Sequence, residues 1–247
     1  MRLQQQVAII TGAGRNIGAD IARLFASEGA KIAVVDMDKG RGEAIAFEIR
    51  ASGGEAIAVV ADISQGEDVK ALVKTVVEQW GRIDILINNA AIADNKTIFT
   101  ITEEEWNKTL GVTLTGPFLV AKYVAAQMVQ QGHGGKIVNI ASTSAYQGRE
   151  TAIAYTTAKA GVLNLTRAMA VQLAPYNIRV NSVSPNRIGS AVGKDEISPN
   201  RKIGNLVGRA GVPMEVATVA LFLVTDDSQF VIGQDIKIDG GFSIKMA

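Results

Sequence analysis

The 247-residue chain reads as an α/β protein on a doubly wound parallel sheet, and three observations lead there. Short runs rich in β-branched residues recur along its length. Several, such as Val7-Ala8-Ile9-Ile10 and Ile32-Ala33-Val34-Val35, are apolar throughout rather than alternating, as strands are when helices cover both faces. The stretches between them place apolar residues at helical spacing. A strand–helix alternation with right-handed crossovers yields this architecture.

Taken in order, the runs expected as strands are 7–11, 31–36, 55–61, 84–88, 136–142, 178–184 and 235–239. In the first intervening stretch Ile17, Ile21, Leu24 and Phe25 fall on one helical face. Ser64-Gln65-Gly66-Glu67 and Thr102-Glu103-Glu104-Glu105 have the pattern of capping boxes that open helices. Gly29, Gly53-Gly54, Gly81 and Gly134-Gly135 mark helix ends before the next strand. No linker or composition break interrupts the rhythm, so residues 1–247 are expected to form one domain. Its least regular part is 186–212, too polar and broken for a strand.

Composition narrows the chemistry. There is no cysteine and a single histidine, His133. Disulfide scaffolds, zinc fingers, iron–sulfur sites and thiol nucleophiles are therefore excluded, and no metal is expected. The 25 basic residues balance 24 acidic ones, a net charge of +1, which makes no electrostatic case for nucleic acid or an anionic membrane. The apolar run after the N-terminal residues is too short for a signal peptide. No window approaches the ~18–20 apolar residues of a membrane span. The expectation is a soluble, cytoplasmic protein.

Two constellations carry chemistry. Thr11-Gly12-Ala13-Gly14-Arg15-Asn16-Ile17-Gly18 follows the first strand and opens the first helix. Glycines there let backbone approach a pyrophosphate, and the helix N-terminus favours negative charge. The second apolar run ends at Asp36, 18 residues after Gly18, where an acid can grip adenosine ribose hydroxyls and repel a 2′-phosphate. That favours NAD(H) over NADP(H), although Arg15 offers a phosphate a partner. The second constellation is Ser142 at a strand end, then Tyr155 and Lys159 at i and i+4 on one helix face. A lysine ammonium close to a phenol favours the phenolate, which would bring tyrosine from its ordinary ~10 toward the working range of a general acid and base.

Together with Asn88-Asn89-Ala90-Ala91, Asn181-Ser182-Val183-Ser184-Pro185 and Asp239-Gly240-Gly241, these motifs resemble the short-chain dehydrogenase/reductase family over essentially the whole chain. The resemblance implies a Rossmann-type sheet of seven strands, hydride transfer between a nicotinamide cofactor and an alcohol/ketone substrate, and a homotetramer. It implies that Gly12, Arg15, Asn16, Ile17 and Gly18 line the pyrophosphate, and that Asp36 with Met37 meets the adenosine ribose. Asp62 and Ile63 would flank adenine. Asn89 and Ala90 would stand by the cofactor's ribose, and Pro185, Ile188 and Ser190 near the carboxamide. Tyr155 would be the general acid/base, Lys159 would hold the nicotinamide ribose and lower the tyrosine pKa, and Ser142 would orient the carbonyl.

Three positions depart from the family's pattern. Thr113 stands where the family has its fourth catalytic residue, an asparagine that holds a water connecting the lysine to solvent. Asn186 replaces the glycine that follows Pro185, in a turn where asparagine tolerates a left-handed backbone. Ala91 ends the Asn-Asn-Ala-Gly signature. The rival readings are a 3-oxoacyl-thioester reductase acting on acyl carrier protein with NADPH, and a dinucleotide-binding sensor or scaffold with weakened turnover. Arg187, Arg201 and Lys202 suit either an anionic substrate or a solvated loop, and Arg149 either the substrate or a surface ion pair.

Overall fold

The computed structural model describes residues 1–189, 192 and 203–244. Its seven strands are β1 (Val7–Thr11), β2 (Lys31–Asp36), β3 (Glu55–Val60), β4 (Ile85–Asn88), β5 (Gly135–Ile140), β6 (Ile178–Pro185) and β7 (Asp235–Ile238). They form one sheet in the order β3-β2-β1-β4-β5-β6-β7, and every neighbouring pair is parallel. The chain winds outward one way from β1 and the other way from β4, so a crevice opens beyond the carboxyl ends of that central pair.

Successive residues of a strand face opposite ways, and each face has its own core. Ala8, Ile10, Ile32, Val34, Ile85 and Ile87 point to one side. They meet apolar residues of α1 (Asn16–Ser27), α2 (Lys39–Ala51) and α7 (Pro213–Val224). Val7, Ile9, Ala33, Val35 and Leu86 point to the other, against α3 (Gly66–Trp80), α5 (Gly116–Gln131) and α6 (Ile153–Leu173). The apolar runs are continuous because both faces are dry.

Helix starts divide the two expected capping boxes. Thr102 caps α4 (Glu103–Leu110) through its hydroxyl, which accepts from the Glu105 N–H at 3.1 Å, while the Glu105 carboxylate accepts from the Thr102 N–H at 3.0 Å. The box expected at Ser64 does not form. The cap of α3 is Gln65, without a side-chain bond, and the Ser64 hydroxyl donates instead to Asp62 Oδ1 at 2.7 Å. Ser64 lies one residue too early to cap, and its nearest acceptor is the preceding turn.

A π-helical turn, Gly111–Thr115, joins α4 to α5. The joined run Glu103–Gln131 is long and apolar enough by composition to cross a bilayer, which the sequence reading missed. In the fold, Val120, Val124 and Met128 of this run are buried against the sheet. The irregular segment beginning at Asn186 is closed at its base: Ile188 bridges Gly211, and the Gly189 N–H donates to the Gly211 carbonyl at 3.0 Å.

Candidate active site

The crevice is a cleft of about 980 Å³ running across the carboxyl ends of β2, β1, β4, β5 and β6. At one end lies the loop between β1 and α1. The Thr11 hydroxyl accepts from the N–H groups of Asn89 and Ala90, at 3.0 and 3.1 Å. Asn89 Nδ2 in turn donates to the carbonyls of Thr11 and Gly12, at 3.0 and 2.9 Å. The loop is thereby clamped to the end of β4. Gly12 sits at φ +62°, and a Cβ there would press on the Ala90 Cα. A Cβ on Gly18 would run into the Gly12 carbonyl. Both positions require glycine for close approach of backbone to backbone.

Of the residues expected at this end, Gly12, Arg15, Asn16, Ile17, Asp36, Met37, Asp62, Ile63, Asn89 and Ala90 line the cleft. Gly18 stands behind the loop, where it lets α1 start close against the sheet. Asp36 is fixed by two backbone donors, the N–H groups of Gly14 at 2.9 Å and Asp38 at 3.0 Å. Asp62 Oδ1 accepts from the Ser64 N–H at 2.9 Å. Arg41, which the sequence reading did not single out, lines the cleft beside Asp36. Its signal was a basic residue in the first turn of the helix that Asp38 caps, its own N–H donating to Asp38 Oδ1 at 3.0 Å.

At the other end Ser142, Tyr155 and Lys159 line the same cleft, and all three are buried. Ser142 follows β5 and accepts the Ser144 N–H at 3.1 Å, which leaves its O–H as a donor. Lys159 Nζ donates to the Ile140 carbonyl at 2.5 Å and lies 5.8 Å from the centroid of the Tyr155 ring. Burial pushes the lysine down to about 7. Burial also pushes the Tyr155 phenol above its usual range, while hydrogen bonding from Ser142 and the positive charge of Arg149 pull the other way. In the protein alone desolvation is the largest influence on the Tyr155 phenol, and the cation that opposes it is Arg149.

The start of α6 explains how Tyr155 is aimed. Its cap, Ala152, is left-handed at φ 69° and offers no side-chain acceptor. Asp94 supplies one from the loop after β4, its Oδ1 accepting the Tyr155 N–H at 2.9 Å. Sequence reasoning missed Asp94; the missing cap at Ala152 was the available signal.

Thr113 lies in the π-helical turn that continues the helix of Trp106. It is fully buried and lies outside the cleft lining. Its hydroxyl donates to the Ile92 carbonyl at 3.0 Å and accepts the Ile92 N–H at 3.1 Å. Through these two bonds the short β-branched side chain ties the strand-end loop to the π-helical turn. Asn186 also differs from expectation. The left-handed residue is its neighbour Arg187, at φ 51°. The Asn186 N–H extends the sheet to the Ile238 carbonyl at 3.0 Å, and its Nδ2 donates to the Thr143 hydroxyl at 2.6 Å. Pro185 and Ile188 line the cleft; Ser190, Arg201 and Lys202 lie outside the described residues.

A family model described as enoyl-(acyl carrier protein) reductase matches residues 12–243. A short-chain type dehydrogenase/reductase from Mycobacterium marinum has the same fold, with a TM-score of 0.92, 35% identity, and 98% and 97% of the two chains covered. The chain belongs to the short-chain dehydrogenase/reductase family. It is similar to an NAD-dependent glycerol dehydrogenase of Listeria innocua, 36% identical over 98% of this chain and 96% of that one. It is similar also to a 3-oxoacyl-[acyl-carrier-protein] reductase of Thermotoga maritima, 37% identical over 99% and 100%. This short-chain dehydrogenase/reductase is accordingly an oxidoreductase of a family that uses nicotinamide cofactors.

Proposed function

We propose that the protein is an NAD(H)-dependent oxidoreductase that interconverts an alcohol and a ketone, with Tyr155 as general acid and base. The observation that carries this reading is the single cleft shared by the glycine loop and by Ser142, Tyr155 and Lys159. The cradle fits a dinucleotide: glycines at 12 and 18 where a Cβ would collide, a helix whose first turn holds no acidic side chain, and a fixed carboxylate at the end of β2. Positive potential at the helix start suits a pyrophosphate, and Gly12, Arg15, Asn16 and Ile17 would hold it. Asp36 and Met37 would take the adenosine ribose, Asp62 and Ile63 the adenine, and Asn89, Ala90, Pro185, Ile188 and Ser190 the nicotinamide half.

Bound nicotinamide supplies or accepts the hydride. The chain's own residues manage the oxygen and its proton. Ser142 donates a hydrogen bond to the substrate oxygen. Tyr155 gives its phenolic proton to that oxygen in reduction and takes it back as phenolate in oxidation. Lys159, anchored by the Ile140 carbonyl, keeps further N–H donors for a ribose.

Replacing Tyr155 by Phe tests the assignment. Turnover should fall by at least a hundredfold, while the affinity for NADH, read by fluorescence titration, stays within twofold. Full activity in that variant would refute the acid/base role. A second reading, NADPH use as in acyl-thioester reductases, draws support from Arg15 and Arg41 at the same end of the cleft. Titration with NADH and NADPH side by side decides between them, because the fixed Asp36 carboxylate repels a 2′-phosphate.

A further inference from the structure

Beyond β6 the chain does something that cofactor binding does not explain. Arg187 adopts a left-handed backbone at φ 51°, a region that non-glycine residues enter only when the surroundings hold them there. The hold is visible: the Arg187 carbonyl accepts the Gly211 N–H at 3.1 Å, and Asn186 before it is pinned to Ile238 and to Thr143. The guanidinium lies 5.9 Å from the centroid of the Phe242 ring, and both residues line the cleft. Its Nε is buried without a hydrogen-bond partner, as is the Oδ1 of Asn186 beside it. A buried donor left unpaired is unfavourable, so a backbone constrained to present it needs a reason.

The surrounding charges give that reason a sign. Arg149 lines the same cleft, and its charge is felt at Tyr155. Of the carboxylates at this end, Asp94 is engaged with the N–H groups of Tyr155 and Lys96, and Glu150 lines the cleft next to Arg149. Asp36 and Asp62 belong to the opposite end. A guanidinium held beside an aromatic ring at the wall of the cleft can turn its terminal N–H groups to the oxygens of one planar or tetrahedral oxyanion.

We infer that Arg187, with Arg149, forms an oxyanion subsite, and that the substrate is a hydroxy or oxo compound carrying a carboxylate or phosphate. The inference rests on the proposed oxidoreductase function for its reaction but not for its binding. The test therefore has a kinetic arm and a binding arm. In the first, short-chain oxo acids, their methyl esters and ketose phosphates are reduced with NADH by the wild type and by Arg187→Gln, Arg187→Lys and Arg149→Gln. The expected result is a wild-type preference for one charged series over the neutral esters. Arg187→Gln should then raise the ratio of acid KM to ester KM by about ten- to a hundredfold, as the loss of a charge-assisted pair does. Arg187→Lys should restore part of it, because the point charge remains without the fork.

In the second arm, the same oxo acids, esters and ketose phosphates are titrated calorimetrically into NADH-loaded Tyr155→Phe protein, with and without Arg187→Gln. Tighter binding of the charged series, lost with Arg187, supports the subsite even if no compound turns over. The preferred series tells carboxylate from phosphate. Equal binding of both charged series and the neutral esters, or an Arg187→Gln effect of the same size on charged and neutral compounds, overturns the inference. Turnover of acids by the wild type that is unmoved by Arg187→Gln also overturns it. Absence of turnover in every series, with the binding preference intact, counts against the oxidoreductase reading alone.

Discussion

Replacing Lys159 with Met should stabilise the protein while removing its activity. Burial holds the lysine at about 7, against an ordinary 10.5. In the folded state the neutral amine is favoured, so the unfolded chain binds more protons between those two values and stability rises with pH across that window. Below pH 7 the folded protein carries the whole penalty of the buried ammonium, roughly 5 kcal/mol. At pH 9 roughly 2 kcal/mol remains. Methionine matches the lysine stem in shape and carries no charge, so the variant escapes the penalty. It also loses the bond to the Ile140 carbonyl, which costs about 1–3 kcal/mol if that acceptor stays dry. The net expectation is a gain of about 3 kcal/mol at pH 6, shrinking to about zero by pH 9. Urea unfolding of both proteins at the two pH values, without cofactor, measures it. A stability difference that is the same at pH 6 and pH 9, or a variant less stable than the wild type at pH 6, would refute the reasoning.

Three further outcomes follow from the same geometry. Asp94→Ala removes the acceptor for the Tyr155 N–H. It should cost about 1 kcal/mol of stability and lower kcat, with Asp94→Asn restoring both because its amide oxygen accepts equally. Thr113→Val strips the donor and acceptor held by Ile92. Denaturation should show a loss of about 2 kcal/mol, whereas Thr113→Ser should stay within 1 kcal/mol of the wild type. Finally, burial raises Tyr155, so the phenolate is the scarce form at neutral pH. Alcohol oxidation should climb with pH from 6 to 9 in kcat/KM profiles, and ketone reduction should not; a flat oxidation profile would contradict a phenolate base.

The sheet was legible because the five central strands are dry on both sides, and continuous runs such as 32–35 have no other use. Strand ends were less legible. β5 stops at Ile140 rather than at Ser142, because after Ala141 pairs with Val183 the chain turns to place the serine hydroxyl in the cleft. Tyr155 and Lys159 could be paired from their spacing, since a helix fixes which residues stack. What the sequence did not show depends on contacts made across the fold. Asp94 reaches Tyr155 from 61 residues away. The left-handed residue moved from Asn186 to Arg187 because the Asn186 N–H is needed by Ile238. Thr113 spends its hydroxyl on Ile92, a partner that only the packing of the π-helical turn against the β4 loop supplies.

Acid–base control is the part of the site where local and global effects oppose each other. In a chain without cysteine, whose one histidine does not line the cleft, the proposed proton carrier is a tyrosine. Placing that tyrosine where water is excluded strengthens every interaction with its oxygen, yet the same exclusion favours the neutral phenol and the neutral amine of Lys159. The lysine therefore brings only part of a positive charge to bear near pH 7. Arg149 acts on the phenol by charge alone, pulling against the desolvation. Of the two basic residues near Tyr155, the lysine lends position through Ile140, and the arginine lends charge. A site so arranged holds the phenol protonated and ready to donate, and reduction is the direction in which this resting state needs no prior loss of a proton.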